Sequence, residues 1–306
     1  MEKIKNDPGS SRKKRLRVSG RDISGWLFLL PAMFCVYFIV IRPQVSGIYW
    51  SFFDMKGYEV KDFVGFENYK RVLSNSMFMS ALKNTITYVF YSLVVGFLLP
   101  IILAVMLNEL TKFRSTARFF IYIPSVLPLA SVMLIWYFVY YPDAGGLLNM
   151  ILGKFGFEPY VWLQDPKWTI LYIVIAMTWN GAGASSMYYF AAMQGINREL
   201  YEAAIIDGAG FFRRMLTVTF PHIAGIVALF LVRQIIDVFS VMEQPLQMTG
   251  GGPNGASTTL GLEAYRYGFV SIKPNFAMAT GVIMFLILLV MTCFYFFINK
   301  KVEENM

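Results

Sequence analysis

Histidine and cysteine are scarce in this 306-residue sequence, which holds one histidine and two cysteines. The single histidine, His222, excludes an H-E-x-x-H zinc motif and disfavours a histidine-based triad or metal cluster. Cys35 and Cys293 both lie in apolar stretches, so we expect them to be packing residues rather than a disulfide. The sequence also lacks a G-x-x-x-x-G-K-[ST] loop. The chain is therefore expected to hydrolyse no nucleotide and to bind no cofactor or metal of its own.

Charged residues are also few, at 15% of the chain, whereas hydrophobic residues make up 57% and the mean hydropathy is +0.53. This composition exceeds what a soluble core requires and predicts an integral membrane protein. A spanning helix needs roughly 20 apolar residues, and long runs without alternation are helices rather than barrel strands. The fold class is therefore predicted to be all-α, with six transmembrane helices over residues 23–41, 84–108, 119–142, 168–197, 215–241 and 274–299.

Basic residues near the N-terminus set the expected orientation. Eight lysines and arginines lie among the first 21 residues, next to the first apolar run, which places the N-terminus in the cytoplasm. The cluster is a better topology signal than a nucleic-acid site, and the first run is too long for a signal peptide. Six helices then return the C-terminus to the cytoplasm. The predicted organisation is a cytoplasmic tail (1–22), a six-helix domain (23–299) and a second cytoplasmic tail (300–306).

The polar loop between the fourth and fifth spans, residues 198–221, is expected to face the cytoplasm. Its first part has apolar residues at helical spacing and Glu199 and Glu202 in the first turns, which predicts a short amphipathic helix. Asp207 and Gly208 predict a break, with the aspartate capping the next helical piece. That second piece, from about Phe211, is expected to lead to a helix entrance at Pro221.

Polar residues inside the fourth and fifth spans predict a solute path, because such groups are costly in lipid. The candidates are an aromatic platform and hydrogen-bonding groups: Trp179, Asn180, Gly181, Gln234, Asp237 and Ser240. A competing interpretation pairs Arg233 with Asp237 at i, i+4, so that two buried charges neutralise each other. Both interpretations stay open at this point.

The loop carries a family motif. E-A-A, three residues, G, nine residues, then an aliphatic residue, any residue, L and P is the cytoplasmic loop motif of binding-protein-dependent ABC importer permeases, and this loop resembles it. Val218 and Phe220 stand where isoleucine and leucine are usual, which are mild apolar changes. Glu202, Ala203, Ala204, Gly208 and Pro221 fall on this motif. The fuller YEAAIIDGAGFFRRM resembles the carbohydrate-uptake branch. WLFLLPAMF, FVGFENYKRVL and MTGGGPNGASTTLGLEAYRYGF extend the likeness to the first of the two dissimilar permeases of maltose-type and glycerol-phosphate-type importers.

This resemblance implies a type I ABC importer permease fold in a bacterial or archaeal cytoplasmic membrane. It implies a heterodimer with a second permease, above two ATPase subunits that bind ATP and Mg, with an external solute-binding protein delivering a carbohydrate, most simply an oligosaccharide. Glu202, Ala203, Ala204, Asp207, Gly208 and Pro221 would then couple to the ATPase. The outer loop Gly250, Gly251, Gly252 and Pro253 would meet the binding protein.

Other functions compete with this expectation. A glycerol-3-phosphate or polyol importer would use the same machinery. A secondary transporter also needs a polar midplane, but it usually has two related halves, which this sequence does not show. A membrane enzyme needs a convergent set of acids, bases or metal ligands, which one histidine and scattered carboxylates do not provide. For the loop of residues 198–221, the competing interpretation is a solvated helix that binds no partner.

Overall fold

The computed structural model describes residues 20–303, and the side chains of residues 25–297. The predicted tail of residues 1–22 and the last residues, 304–306, therefore lie almost wholly outside the described residues. The chain divides into two units, Met1–Tyr49 and Trp50–Met306. Helix α1 covers residues 20–50, all but the last of them in the first unit, as Gly20–Val36, a π-helical stretch Tyr37–Ile41, and Arg42–Trp50. This helix extends nine residues beyond the predicted end of the first span.

The second unit holds a short hairpin and eleven helices within the described residues. They are β1 (Phe53–Lys56), β2 (Glu59–Phe63), α2 (Glu67–Leu73), α3 (Ser76–Glu109), α4 (Arg114–Val126), α5 (Leu129–Val139), α6 (Leu147–Lys154), α7 (Thr169–Gln194), α8 (Arg198–Ile206), α9 (Phe211–Phe239), α10 (Glu243–Thr249), α11 (Leu260–Tyr265) and α12 (Pro274–Glu303).

Five helices, α1, α3, α7, α9 and α12, are each long and apolar enough to cross a membrane, and the pair α4 and α5 makes a sixth span. The prediction of a six-span helical membrane protein is thus confirmed, while the orientation of the termini stays a prediction. The hairpin β1–β2 was not predicted. Its signal is the alternation of apolar and polar residues on both sides of Gly57, whose φ of +61° suits the tight turn.

The third span is broken rather than straight, which corrects the single helix predicted over residues 119–142. Helices α4 and α5 meet at an angle of 98°. Pro128 drives the preceding residue, Leu127, into the extended conformation (ψ 139°), where an α-helix ends. Pro128 also has no N–H to offer the carbonyl of Pro124, four residues earlier. The two prolines therefore end one helix and start another instead of only kinking it.

Three of the four π-helical stretches in the described chain lie just before a proline. Tyr37–Ile41 precedes Pro43, Ser92–Gly96 precedes Pro100, and Met215–Thr219 precedes Pro221. A proline ring collides with the carbonyl four residues back and cannot bond to it, so the preceding turn widens. Pro221 therefore lies inside α9, which begins ten residues earlier at Phe211. Pro221 lies in the first turn of the α-helical segment Phe220–Phe239, as predicted, but this segment continues α9 from the π-helical stretch and does not start a new helix.

The core of the second unit consists of two apolar clusters separated along the spans. The first cluster includes Tyr88 and Val89 of α3 and Ile173 and Val174 of α7. The second cluster lies further along α3 and α7, where it includes Ile101 and Tyr189, and it also includes Ile223 of α9. Burying an apolar side chain of this size contributes about 1.5–3 kcal/mol, so each cluster holds α3, α7 and α9 together. The stretch between the clusters is left for more polar residues.

Helices α4 and α7 approach each other at Gly183. A Cβ atom there would overlap the carbonyl oxygen of Ile121 and come within 2.9 Å of Ser125 Oγ. Ser125 Oγ donates to the carbonyl of Asn180 (2.6 Å) and accepts from the Ala184 N–H (3.0 Å). Only glycine lets the end of α4 lie this close to α7.

We expect Gly183→Ala to destabilise the chain, because the methyl group meets a backbone oxygen that cannot move aside. The loss should be about 1–3 kcal/mol, as for other overpacked sites, and it is measured as the unfolding midpoint of the purified protein in detergent. Gly181→Ala is the matched control, since a Cβ atom two residues away on α7 meets nothing within 4 Å. Equal midpoints for the two variants would contradict the close approach.

Candidate functional site

A cavity of about 540 Å³ lies between the two apolar clusters. It is bounded by α3, by the middle of α7, by the last turns of α9 and by α10. Its lining residues are Ser92, Gly96, Pro100, Val174, Met177, Thr178, Asn180, Gly181, Ala182, Ser185, Gln234, Asp237, Val238, Ser240, Val241, Met242, Glu243 and Gln244. We call this space the central cavity.

Five of the six residues predicted for a solute path line the central cavity: Asn180, Gly181, Gln234, Asp237 and Ser240. The sixth, Trp179, is not among them. Its ring lies edge-on against Trp136, with the ring centres 5.9 Å apart, and 38% of the residue is exposed. The predicted aromatic platform is therefore absent from this cavity.

Asn180 is only partly free for a solute. Its amide Nδ2 donates to the carbonyl of Pro124 at 2.6 Å, the group that Pro128 leaves without a helical partner. A buried carbonyl without a donor is costly. The bond from Asn180 supplies the donor that the Pro124 carbonyl lacks at the break between α4 and α5. Asn180 therefore has a structural role that the sequence did not reveal.

Gln234 of α9 lies against Gly96 of α3. A Cβ atom on Gly96 would be 3.0 Å from Gln234 Nε2 and 3.1 Å from Thr178 Oγ1. The missing side chain of Gly96 thus makes room for the amide of Gln234 and the hydroxyl of Thr178. The sequence prediction missed Ser92, Gly96 and Thr178. The signal was present, since Ser92 and Gly96 are four residues apart on one face of an otherwise apolar span.

Both interpretations of Asp237 are compatible with the structure. Arg233 Nε lies 3.4 Å from Asp237 Oδ2, and more than half of each side chain is exposed. Asp237 also lines the central cavity, whereas Arg233 does not. Within the described residues the lining therefore includes two carboxylates, Asp237 and Glu243, and no lysine or arginine. Negative charge and hydrogen-bond acceptors thus characterise the cavity wall.

The loop of residues 198–221 has the predicted helix, turn and helix. Asn197 caps α8 by accepting a hydrogen bond from Glu199 N, and Gly208 adopts φ +72° where the chain turns. The predicted capping role of Asp207 was wrong, because Asp207 is the C-terminal cap of α8 and Gly210 precedes α9. A glycine with positive φ after a helix is a common C-terminal signal.

Helix α8 is fixed to the membrane domain on one side. Tyr201 and Thr219 share a hydrogen bond between their hydroxyl oxygens at 2.9 Å, which joins α8 to α9. Ala204 packs against the second apolar cluster. At the start of α9, Arg214 Nη2 lies 3.8 Å from Glu109 Oε2 at the end of α3. Helix α8 is therefore tied directly to α9.

The other side of α8 is exposed and partly apolar. Glu202, Ala203, Asp207 and Gly208 are all exposed, and so are Ile206 (85%) and Phe212 (80%). A solvated loop helix would present polar groups outward, whereas large exposed apolar groups beside acids are typical of a protein contact. Together these residues form what we call the coupling face.

The cysteines have different surroundings from those expected, and His222 is bonded within its own helix. His222 lies within α9, where its Nδ1 donates to the carbonyl of Val218 at 2.6 Å. Cys35 and Cys293 are free thiols, as predicted, but both are exposed rather than packed in a core.

The loop of Gly250, Gly251, Gly252 and Pro253 is braced rather than open. Gly250 and Gly251 have φ values of +58° and +86°. The guanidinium of Arg266 donates to the Gly250 carbonyl at 2.5 Å, and Thr258 Oγ1 donates to the Gly251 carbonyl at 3.0 Å. A Cβ atom on Gly251 would come within 2.6 Å of both Arg266 Nη2 and Thr258 Oγ1. Packing thus accounts for Gly251, while contact with another protein stays a prediction for the exposed Gly250.

Comparison with known proteins gives a consistent result. Residues 72–304 match the family described as "Binding-protein-dependent transport system inner membrane component". The trehalose/maltose transport system permease protein of Thermococcus litoralis is 34% identical over 245 residues, covering 79% of this chain and 82% of that protein. The sulfoquinovosyl glycerol transport system permease protein of Agrobacterium fabrum is 29% identical over 274 residues, 88% of each chain.

A solved structure has the same fold. A chain of a bacterial alginate ABC transporter, crystallised in complex with an alginate pentasaccharide-bound periplasmic protein, superposes with a TM-score of 0.83 and 26% identity. The superposition covers 92% of this chain and 96% of that one. The fold described above is therefore that of a transporter membrane subunit.

Proposed function

Since the chain belongs to the family of binding-protein-dependent transport system inner membrane components, and is a permease subunit of a sugar ABC importer in the plasma membrane, we propose that its cargo is a neutral oligosaccharide. A solute-binding protein outside the membrane would deliver it. The permease would work beside a second permease and above two ATPase subunits, which supply the nucleotide chemistry that this chain has no motif for.

The central cavity is the observation that carries the proposal. Its volume of about 540 Å³ exceeds what a small polyol needs. Gln234, Ser240, Asp237 and Glu243 present an amide, a hydroxyl and two carboxylates on its wall. Sugar hydroxyls both donate and accept hydrogen bonds, and carboxylate acceptors make the stronger ones.

The charge of the cavity favours a neutral cargo over glycerol-3-phosphate. Glu243 would repel a phosphate, and the described lining contains no cation to offset it, whereas the charge of Asp237 is opposed by Arg233. Arg233 is held by Asp237 and stays outside the lining. A phosphate site would instead be expected to contain arginine or lysine.

The coupling face would dock into the ATPase subunits. Glu202 and Asp207 would accept charged hydrogen bonds, and Ala203 would allow close approach. Ile206 and Phe212 would supply the apolar contact, because their exposure is otherwise unfavourable. Closure of the two ATPases on ATP would then push on α8.

Helix α9 would carry that movement to the cavity. Tyr201 joins α8 to Thr219 near its start, and Gln234 lies 15 residues further along, about 22 Å at 1.5 Å per residue. The π-helical stretch Met215–Thr219, which ends at Thr219, is a widened turn, a usual place for a helix to bend. One helix would therefore link the ATPase contact to the solute contact in a two-state switch.

The test is uptake into proteoliposomes that contain the assembled complex, ATP and the binding protein. We expect accumulation of labelled neutral sugars from a panel of trehalose, maltose, maltotriose, maltotetraose and arabino-oligosaccharides. Glycerol-3-phosphate should be taken up at background level, since Glu243 faces the cargo and the described lining has no lysine or arginine to bind a phosphate. Uptake of glycerol-3-phosphate without uptake of any sugar would refute the proposal.

A further inference from the structure

A second, smaller pocket of about 210 Å³ lies beyond the far end of α10. It is separate from the central cavity and shares none of its lining residues. The side chains and backbone that matter for its chemistry are Tyr137, Tyr140, Gln164, Thr249, Gly252 and Pro253. We call it the outer pocket, because the predicted orientation places the end of α5 and both contributing loops on the external side.

The wall of the outer pocket combines aromatic surface with free hydrogen-bonding groups. Tyr137 is 42% exposed, whereas Tyr140 is buried and donates its hydroxyl to the Tyr172 carbonyl at 3.2 Å. Within the described part of the chain, the Tyr137 hydroxyl and the Gln164 side-chain amide have no hydrogen-bond partner. A flat ring beside an unpaired amide is what a sugar ring requires, since it stacks one apolar face and bonds its hydroxyls at the edge.

The pocket is held in shape before any ligand arrives. Asn149 Oδ1 accepts from Trp162 Nε1 (2.8 Å) and from Tyr160 N (3.0 Å), and its Nδ2 donates to the Pro142 carbonyl (2.9 Å). The ring of Tyr140 packs on that of Trp162 with centres 5.9 Å apart. A preorganised wall loses little conformational entropy on binding.

Helix α10 connects the two sites. Glu243 and Gln244 at its start line the central cavity, whereas Met248 and Thr249 at its end line the outer pocket. Residues 244 and 249 are five apart, which is about 7.5 Å along a helix. The linings of the two sites therefore meet on one short helix.

We propose that the outer pocket is a sugar subsite that receives one ring of a longer oligosaccharide whose other rings occupy the central cavity. A disaccharide would fill the central cavity alone, and a tri- or tetrasaccharide would use both sites. This inference rests on the proposed carbohydrate cargo. It makes Tyr137 and Gln164 determinants of the preferred chain length.

The experiment compares kcat/KM for maltotetraose with that for maltose, or for the corresponding arabino-oligosaccharides, in reconstituted wild-type complex and in variants. Tyr137→Ala should lower the ratio of long to short substrate about three- to tenfold, the effect of losing one aromatic contact of about 0.5–1.5 kcal/mol. Gln164→Ala should lower it in the same direction, and Tyr137→Phe should keep most of it.

Phe138→Ala is the matched control. This neighbouring aromatic residue is 61% exposed and does not line the pocket, so its loss should leave the ratio unchanged. A ratio that Tyr137→Ala and Gln164→Ala do not change overturns the inference.

Two other outcomes also decide the matter. An equal loss for all chain lengths, with weaker affinity of the complex for unloaded binding protein, would identify a side chain of that protein as the occupant and overturn the sugar subsite. Failure of the carbohydrate proposal is distinguishable, because it appears in the wild-type complex as uptake of no sugar in either series. In that case the proposed sugar subsite is refuted together with the carbohydrate proposal.

Discussion

Gly208→Val is expected to reduce ATP-driven uptake by about tenfold or more and to weaken co-purification with the ATPase subunits. Gly208 has φ +72°, a conformation that costs other residues about 1–2 kcal/mol, and more for a β-branched one. A Cβ atom there meets nothing within 4 Å, so the effect is conformational rather than steric. The chain would leave the tight turn after α8, and the residues of the coupling face would no longer hold their positions relative to each other.

Gly210→Val is the matched control for this experiment. Gly210 is two residues away, has an ordinary φ of −68° and also has nothing within 4 Å of a Cβ atom. We expect this variant to keep most of its uptake and its ATPase subunits. Wild-type uptake by both variants, with intact assembly, would show that the turn at Gly208 is not needed for coupling.

Gly96→Leu should block transport without disturbing assembly. The new side chain would enter the central cavity where Gln234 Nε2 and Thr178 Oγ1 already lie 3.0 and 3.1 Å from the position of a Cβ atom. Overpacking of this kind costs about 1–3 kcal/mol, and it would remove the space for the cargo. Uptake should fall at least about tenfold, while the ATPase subunits still co-purify and hydrolyse ATP at the basal rate.

Gly225→Leu tests whether that loss is specific to the cavity. Gly225 lies in α9, another spanning helix, and a Cβ atom there meets nothing within 4 Å. This variant should transport normally. Gly96→Ala should have an intermediate effect, since only the flexible end of Gln234 has to move. Normal uptake by Gly96→Leu would mean that solute does not pass through this cavity.

Much of the architecture was predictable because it obeys one-dimensional rules. A run of about 20 apolar residues has few alternatives in a bilayer, and a glycine after an amphipathic segment marks a helix end. The span count and the turn at Gly208 result from these rules alone. The break at residue 127 also obeys a local rule, that of Pro128 on its neighbour, but its 98° angle depends on how α4 packs against α7.

The candidate site was harder to predict because it depends on which way each side chain points. Gln234, Asp237 and Ser240 share the cavity, yet Trp179 turns away to Trp136. Asn180 was identified as polar, but its bond to the Pro124 carbonyl requires knowing that α4 ends against α7. Such contacts join residues more than 40 positions apart. No periodicity within one span reveals them.

The energy source of uptake tests the account most directly. Proteoliposomes with the complex, the two ATPase subunits and the loaded binding protein should accumulate labelled oligosaccharide when ATP is supplied on the ATPase side, with no ion gradient present. The Gly208→Val complex should fail in the same assay, and the Gly210→Val complex should not. Uptake driven by a proton or sodium gradient without ATP, unaffected by Gly208→Val, would contradict the account.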